Sequence, residues 1–461
     1  MKVWTKDMWM YITAADLEVE RMQCQDEGKD LTKLQPEFDA LKDADFDDLA
    51  VQAKAGRLLD KTYKVRPQPG LVWREPNDLE TIQRHRRNRP KLPIPRPTDE
   101  GVFERAYGGW LGRACGCLLG KPVEGCTRQQ IEAYLKAQNR WPLADYFSNQ
   151  VDEQVRQDNK FRPPADRCYL ENITCMVEDD DTNYTTTGLA VVAQKGKDFT
   201  PADVARFWLG NIPILHTCTA ERVAYKNLVA QVPPPAPDGS LEGVFSSASY
   251  RNPYREWIGA QIRADFFGYA NPANPERAAA YAWRDACISH VKNGIYGEMW
   301  VAAMLAAAYI VEDVEKVIRF GLGEIPSKSR LHADLSQVLA WRKEKIGYEN
   351  AINRVHARWD QMKGHHWCHT NSNAQIVAVA LLWGEMDYGK TICQAVMPGF
   401  DTDCNGATAG SVLGVMLGAG KLPTAWTSRL NDTLETGVAG YHRVKLSEMA
   451  QKTLELVQRD R

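Results

Sequence analysis

The chain has 461 residues, a formal net charge of −2, and 44% hydrophobic and 25% charged residues. That composition allows a large core and indicates neither a disordered chain nor a nucleic-acid or membrane-surface binder. The eleven cysteines are scattered without paired spacing, which predicts reduced thiols in a cytoplasmic setting rather than a disulfide framework. No secretory leader pattern and no apolar run of about eighteen residues is present, so no membrane span is expected.

Residues 1–98 differ from the rest. Trp4, Met8, Trp9, Met10, Tyr11 and Ile12 form an apolar patch, and an acidic stretch runs from Glu37 to Asp48. Leu41, Phe46, Leu49 and Val51 are spaced for a short amphipathic helix. The basic run Arg84–Arg89 then leads into Pro90, Pro93, Pro95 and Pro97, a density that favours extended chain. This predicts a helical extension and a linker. The basic run reads either as a solvated helix end or, less simply, as a phosphate contact.

From Asp99 to the C-terminus the pattern is helical. Gly108, Gly112, Gly116 and Gly120 recur every fourth residue before Lys121-Pro122-Val123-Glu124-Gly125 ends the helix. Each interior glycine costs a helix about 1 kcal/mol relative to alanine, so the row needs an offsetting gain. Close approach of another helix supplies one, and a second row, Gly406, Gly410, Gly414 and Gly418, supplies the partner. A membrane-dimer reading of such rows fails, because the second row begins beside two aspartates. Helices are further expected over residues 200–232, 275–288, 298–311, 331–361 and 373–383 and at the amphipathic C-terminus, with few strand signals. The proline-rich stretch Pro233–Pro253 reads as a loop.

Two acidic loops stand out. Gly399-Phe400-Asp401-Thr402-Asp403-Cys404-Asn405 follows a helix-breaking proline and opens the second glycine helix. Asp179-Asp180-Asp181 lies in a second loop, Val177–Thr185, that leads into a helix expected over Thr186–Gln194. A lone acidic run is commonly a solvated helix N-terminus. Two compact ones, far apart in sequence, suit a hard cation that gathers oxygen ligands from several segments. A calcium EF loop is excluded, since its twelfth position, which needs a bidentate glutamate, is Val412. The cluster His365-His366-Trp367-Cys368-His369 lacks a partner cysteine pair at zinc-finger spacing and reads as a capped loop or pocket lining. No nucleophile elbow, phosphate-cradling loop or dinucleotide fingerprint occurs. Glu124, just beyond the first glycine helix, would be carried towards Asp401 by glycine-row pairing and is a candidate base or water-orienting group.

Together these motifs resemble the ADP-ribosylglycohydrolase family over roughly residues 99–430. Gly112–Glu124 resembles its first glycine-rich motif, Asp179–Thr182 its Thr-Asp-Asp-Thr motif, Ser289-His290 with Asn293-Gly294 its substrate loop, and Gly399–Gly410 its Gly-x-Asp-Thr-Asp-Thr-Asn motif. The resemblance implies an all-α orthogonal multi-helix bundle, here with an N-terminal helical extension. It also implies two Mg²⁺ ions (or Mn²⁺) and hydrolysis of the bond between ADP-ribose and an acceptor. The partner would be an ADP-ribosylated protein or a small ribosylated molecule, with no nucleic acid and no membrane. By position, Asp179, Asp180, Asp181, Asp401 and Asp403 are implied metal ligands. Cys404 stands where the family has a ligating threonine, and sulfur is a soft donor for Mg²⁺. Glu124 and Asp401 are the implied catalytic groups, and Gly259, His290, Gly294, Tyr296 and Gly297 the implied substrate contacts. Cys117 stands where many members carry aspartate. The alternatives are a related hydrolase of nucleosides or small ribosylated metabolites, and a non-catalytic protein on the same scaffold.

Overall fold

Two glycine-rich helices, Asp99–Gly120 and Thr402–Leu417, run antiparallel in contact at the centre of the structure. The computed structural model describes residues 1–4, 6–92, 97–159, 161–235 and 245–460. Pro93, Pro95 and part of the Pro233–Pro253 loop therefore lie outside the described residues. The two rows interlock reciprocally. A Cβ at Gly112 would lie 2.2 Å from the Gly410 carbonyl oxygen, and one at Gly116 would lie 2.0 Å from that of Gly406. From the other side, a Cβ at Gly410 or Gly406 would lie 2.3 Å from the Gly112 or Gly116 oxygen. No side chain fits such a backbone approach, which accounts for the spacing of four.

The pairing also fixes the ends. Gly120 abuts the backbone of Thr402 and Asp403, and Thr402 Oγ1 donates to the Gly120 carbonyl at 2.8 Å. Lys121 and Glu124, immediately downstream, are thereby carried to the start of the second glycine helix. Around this pair the described residues form further helices and one short antiparallel hairpin, Thr433–Glu435 with Arg443–Lys445. The fold is thus all-α, as expected. No helix among the described residues is long and apolar enough to cross a membrane.

Several boundaries differ from the sequence-based expectation. Residues 331–361 form two helices, Arg330–Lys343 and Tyr348–Arg358, broken where Lys345 takes a φ of 58°. Residues 200–232 likewise split, into Pro201–Asn211 and Thr219–Val229 around Pro213. The helix expected from residue 298 starts at Asn293, so Gly294, Tyr296 and Gly297 lie in its first turns rather than in a loop. Leu41 ends one N-terminal helix and Leu49 begins another, Leu49–Lys64, with Phe46 in the turn between.

The N-terminal residues have a small core of their own, including Leu17, Cys24, Phe38, Leu41, Leu58 and Leu59. They dock on the bundle through polar contacts. Arg255 pairs with Glu20 at 2.6 Å and Glu27 at 3.1 Å, and Arg330 with Glu75 at 2.8 Å, all of them buried side chains. The basic run lies at the end of the helix Leu79–His85 with Arg84 and Arg87 exposed, in part the solvated helix end expected. Arg86 pairs with Glu324 and Glu276, and Arg89 with the same two, so two of its arginines are spent on intramolecular ion pairs.

Candidate metal centre

Each acidic loop is held by identifiable contacts. Before Asp401 the chain turns through two left-handed residues, Gly399 at φ 76° and Phe400 at φ 60°, the latter fully buried. Glycine tolerates this conformation; Phe400 is held in it by burial. Asn373 then ties the loop down, its Oδ1 accepting from Asp401 N at 3.1 Å and Asn405 Nδ2 at 2.8 Å. Asp179 caps the helix Asp180–Lys195, accepting from Asp181 N at 3.0 Å. Arg113, buried on the first glycine helix, draws that N-terminus in. Its guanidinium donates to the Asp181 carbonyl and Oδ1 at 2.9 Å each, and to Asp265 at 2.8 Å.

Two groups of potential ligands result. Atoms of Cys117, Asp179, Asp181 and Asp403 lie within 4.8 Å of one another, and so do atoms of Asp401, Asp403 and Cys404. Asp403 belongs to both. Two of the three thiols at the centre donate to its carboxylates: Cys404 Sγ to Asp181 at 3.3 Å, and Cys368 Sγ to Asp401 at 3.4 Å.

The electrostatics are those of crowded, buried acids. Burial, then the charges of Asp179 and Asp403, pushes Asp180 up to about 8. Asp181 and Asp401 are driven well above the usual carboxylate range, burial being the main cause. Burial would also raise Asp179, but the Lys121 ammonium bonded to it outweighs that and holds it low. Glu124, 36% exposed and paired with Arg162 at 2.8 Å, is pushed up to about 8, chiefly by the charge of Asp403. A cation would relieve this repulsion. The oxygen donors of Asp401 and Asp403 fit a hard divalent ion. Each group includes one thiol, Cys117 or Cys404, and the Cys117 group fits less well because an ammonium sits on its Asp179.

Of the residues singled out in the sequence, the structure brings together Glu124, Asp179, Asp180, Asp181, Asp401, Asp403 and Cys404. The implied substrate contacts lie around Glu221, whose charge acts on Asp180, and in the helix that begins at Asn293. A Cβ on Gly259 would lie 2.2 Å from Glu221 Oε1, so this glycine packs on a buried carboxylate. His290 is fully buried, with Nδ1 at 2.8 Å from Ser289 and Nε2 without a hydrogen-bond partner. Gly294 packs on the Arg255 carbonyl, Gly297 on Thr370, and the Tyr296 hydroxyl donates to the Pro76 carbonyl. Lys121, Arg113, Cys368 and Asn373 were not singled out. Lys121 had a signal, as the one charged residue between Gly120 and Glu124, and Cys368 stood within the histidine cluster; Arg113 and Asn373 had none.

The histidine cluster forms a short helix, Gly364–Trp367, and the turn after it. His365 Nε2 lies 2.9 Å and His369 Nε2 3.9 Å from Asp26 Oδ2. The far nitrogens decide its chemistry. Trp257 Nε1 donates to His365 Nδ1 at 3.2 Å, and Asn371 N donates to His369 Nδ1 at 3.0 Å. Indole and amide N–H groups only donate, so both rings carry their proton on Nε2, facing Asp26. A metal on those Nε2 atoms would need Nδ1–H, opposed to the donors in place. The cluster clamps the N-terminal helix through Asp26, and with Asp26 it forms a further group of potential ligands, one whose ring protonation opposes a metal.

The family model described as ADP-ribosylglycohydrolase matches residues 98–461. Among solved structures, one described as an ADP-ribosylglycohydrolase-related protein complex is similar at 18% identity, over 78% of this chain and 100% of that one, with a TM-score of 0.45. No curated protein matches.

Proposed function

We propose, from the premise that the chain belongs to the ADP-ribosylglycohydrolase family, that it hydrolyses the bond between C1″ of an ADP-ribosyl group and an acceptor, assisted by a divalent cation. Membership supports a glycosyl-hydrolase activity. The observation that carries the finer reading is the convergence of two acidic loops, more than two hundred residues apart, on Asp403, with Glu124 beside it.

Asp180, Asp181, Asp401 and Asp403 would hold Mg²⁺ or Mn²⁺. When bound, such an ion polarises an oxygen and lowers the pKa of a coordinated water. The chain's own residues supply the rest. Glu124 reaches the cluster from the 3₁₀ turn after Gly120 and responds to the charge of Asp403, which makes it the group to move a proton between water and leaving atom. The bond from C1″ to the acceptor breaks, the acceptor takes a proton, and the water oxygen joins C1″. The buried carboxylates stabilise the positive charge that develops on the sugar. His290 is the candidate among the implied substrate contacts with an unused polar atom.

The test is a panel of ADP-ribosyl-arginine, ADP-ribosyl-serine, O-acetyl-ADP-ribose and free nucleosides, assayed with Mg²⁺ and Mn²⁺. One ADP-ribosyl substrate should be cleaved, and Asp403→Ala should cost at least about a hundredfold in rate, the scale of several kcal/mol of charge stabilisation. Hydrolysis of nucleosides alone, or full activity in Asp403→Ala, would reject the reading.

A further inference from the structure

The feature that sets this centre apart is an ammonium group inside it. Lys121 leaves the first glycine helix at Gly120 and enters a 3₁₀ turn, Lys121–Val123. Glycine pairing pins that turn against Thr402 and Asp403. The side chain is 16% exposed, and its Nζ is bonded to Asp179 Oδ2, which belongs to a side chain 2% exposed. Asp179 in turn shares one ligand group with Cys117, Asp181 and Asp403, all within 4.8 Å. A divalent ion placed among those four donors would meet a fixed positive charge on one of its own ligands.

The other group differs. No cationic side chain is hydrogen-bonded or ion-paired to Asp401 or Asp403 among the described residues. The side-chain partner of the Asp401 carboxylate is the Cys368 thiol at 3.4 Å, and Asp403 accepts from its neighbour Cys404 N at 3.1 Å. Lys121 is bonded at the Asp179 end, while Asp403, shared by both groups, feels its charge without being bonded to it.

We propose that Lys121 is a built-in monovalent cation that takes one of the two cation positions of this centre, so that the chain binds a single divalent ion, at Asp401 and Asp403. This rests on the metal-assisted reading above and departs from the two ions that the sequence resemblance implies. The two halves then differ in chemistry. An ammonium has one charge and three hydrogen-bond donors, but no coordination position for a water. The Lys121 half can hold a substrate oxygen, while water activation is confined to the Asp401–Asp403 half.

Counting bound Mn²⁺ tests this without an activity assay. Equilibrium dialysis of the full chain with metal analysis should give one Mn²⁺ per chain, with the electron paramagnetic resonance spectrum of an isolated ion. Lys121→Met and Lys121→Ala should each give two, with the broadened spectrum of a spin-coupled pair, and near-ultraviolet circular dichroism confirms that they fold. Two coupled ions in the unaltered protein would overturn the proposal, and that measurement needs no variant. One ion in all three proteins would also overturn it, since Lys121 would not be what excludes the second. No bound ion in any of them would defeat the metal-assisted reading itself, a failure separate from that of Lys121.

Discussion

Asp334 lies on the helix Arg330–Lys343 with its side chain 3% exposed, and its charged partner, Arg358, is 46% exposed at 3.0 Å. Burial outweighs that half-solvated arginine and raises the Asp334 carboxyl to about 6. The folded state therefore holds this proton more tightly than the unfolded chain does. The stabilisation is complete below the unfolded value near 4 and is lost as pH rises through about 6. Two pKa units correspond to about 3 kcal/mol. Asp334→Asn keeps an acceptor for Asn371, which now donates to the carboxylate at 2.7 Å. The variant should match the parent at pH 4 and be more stable by up to about 3 kcal/mol at pH 8. Urea unfolding at both pH values measures the difference, and a gap that does not widen with pH would refute the assignment. Single residues were unevenly legible in the sequence. The carboxylates of the centre were readable because Asp-x-Asp at a helix start is a local pattern. Asn373 and Cys368 were not, because each acts on Asp401 across about thirty residues of helix and loop, a pairing no local pattern encodes.

At the scale of elements, the paired glycine helices position the chemistry. The period of four was readable because it is the period at which one helix face recurs, and the structure shows what it is for. Gly112→Ala tests it. Alanine favours an isolated helix by about 1 kcal/mol, but here its Cβ would lie 2.2 Å from the Gly410 carbonyl oxygen, and backbone cannot swing aside as a side chain can. A net loss of about 2 kcal/mol or more is expected, the scale of overpacking a tight core. Metal affinity should fall with it, because the same contact seats the start of the helix that carries Asp403 against Gly120. Gly210 is the control: it sits in the last turn of Pro201–Asn211, and nothing lies within 4 Å of a Cβ there. Gly210→Ala should be neutral or stabilising by up to about 1 kcal/mol. Thermal melts and Mn²⁺ titrations of the two variants decide, and equal behaviour would mean that the rows are not in working contact. Helix boundaries were less legible. The break puts a lysine, Lys345, in the left-handed position, with Gly347 two residues on as its one sequence signal, and the early start at Asn293 depends on Glu256, which accepts from its side chain at 2.7 Å.

For the whole molecule, the question is whether residues 1–98 are an appendage. The sequence showed a change of composition and a proline-rich boundary, which suggested a separable extension. It did not show where the charges go. Arg255 reaches Glu20 and Glu27 on the N-terminal helix Ala14–Asp26 and at its end, and Glu75 joins Glu256 around Arg330. Gln23 also donates to Glu256 at 2.6 Å, and His365 reaches Asp26 at 2.9 Å. Arg255 and Arg330 are 5% and 8% exposed, so without the N-terminal segment Arg255 would lose both of its acidic partners and Arg330 one of two. Breaking a buried pair from one side costs about 3–5 kcal/mol, a large share of the 5–15 kcal/mol that typically separates folded from unfolded. A chain of residues 96–461 should therefore be insoluble or melt far below the full chain, although it contains the whole region matched to the family. Arg255→Met in that shortened chain should recover part of the loss, because it removes the orphaned charge and keeps the volume. Full stability of residues 96–461 without that change would show that the ion pairs are incidental and the segment is a true appendage. Recovery on Arg255→Met would show instead that the N-terminal segment serves as counter-ion to the bundle, which a composition shift alone cannot reveal.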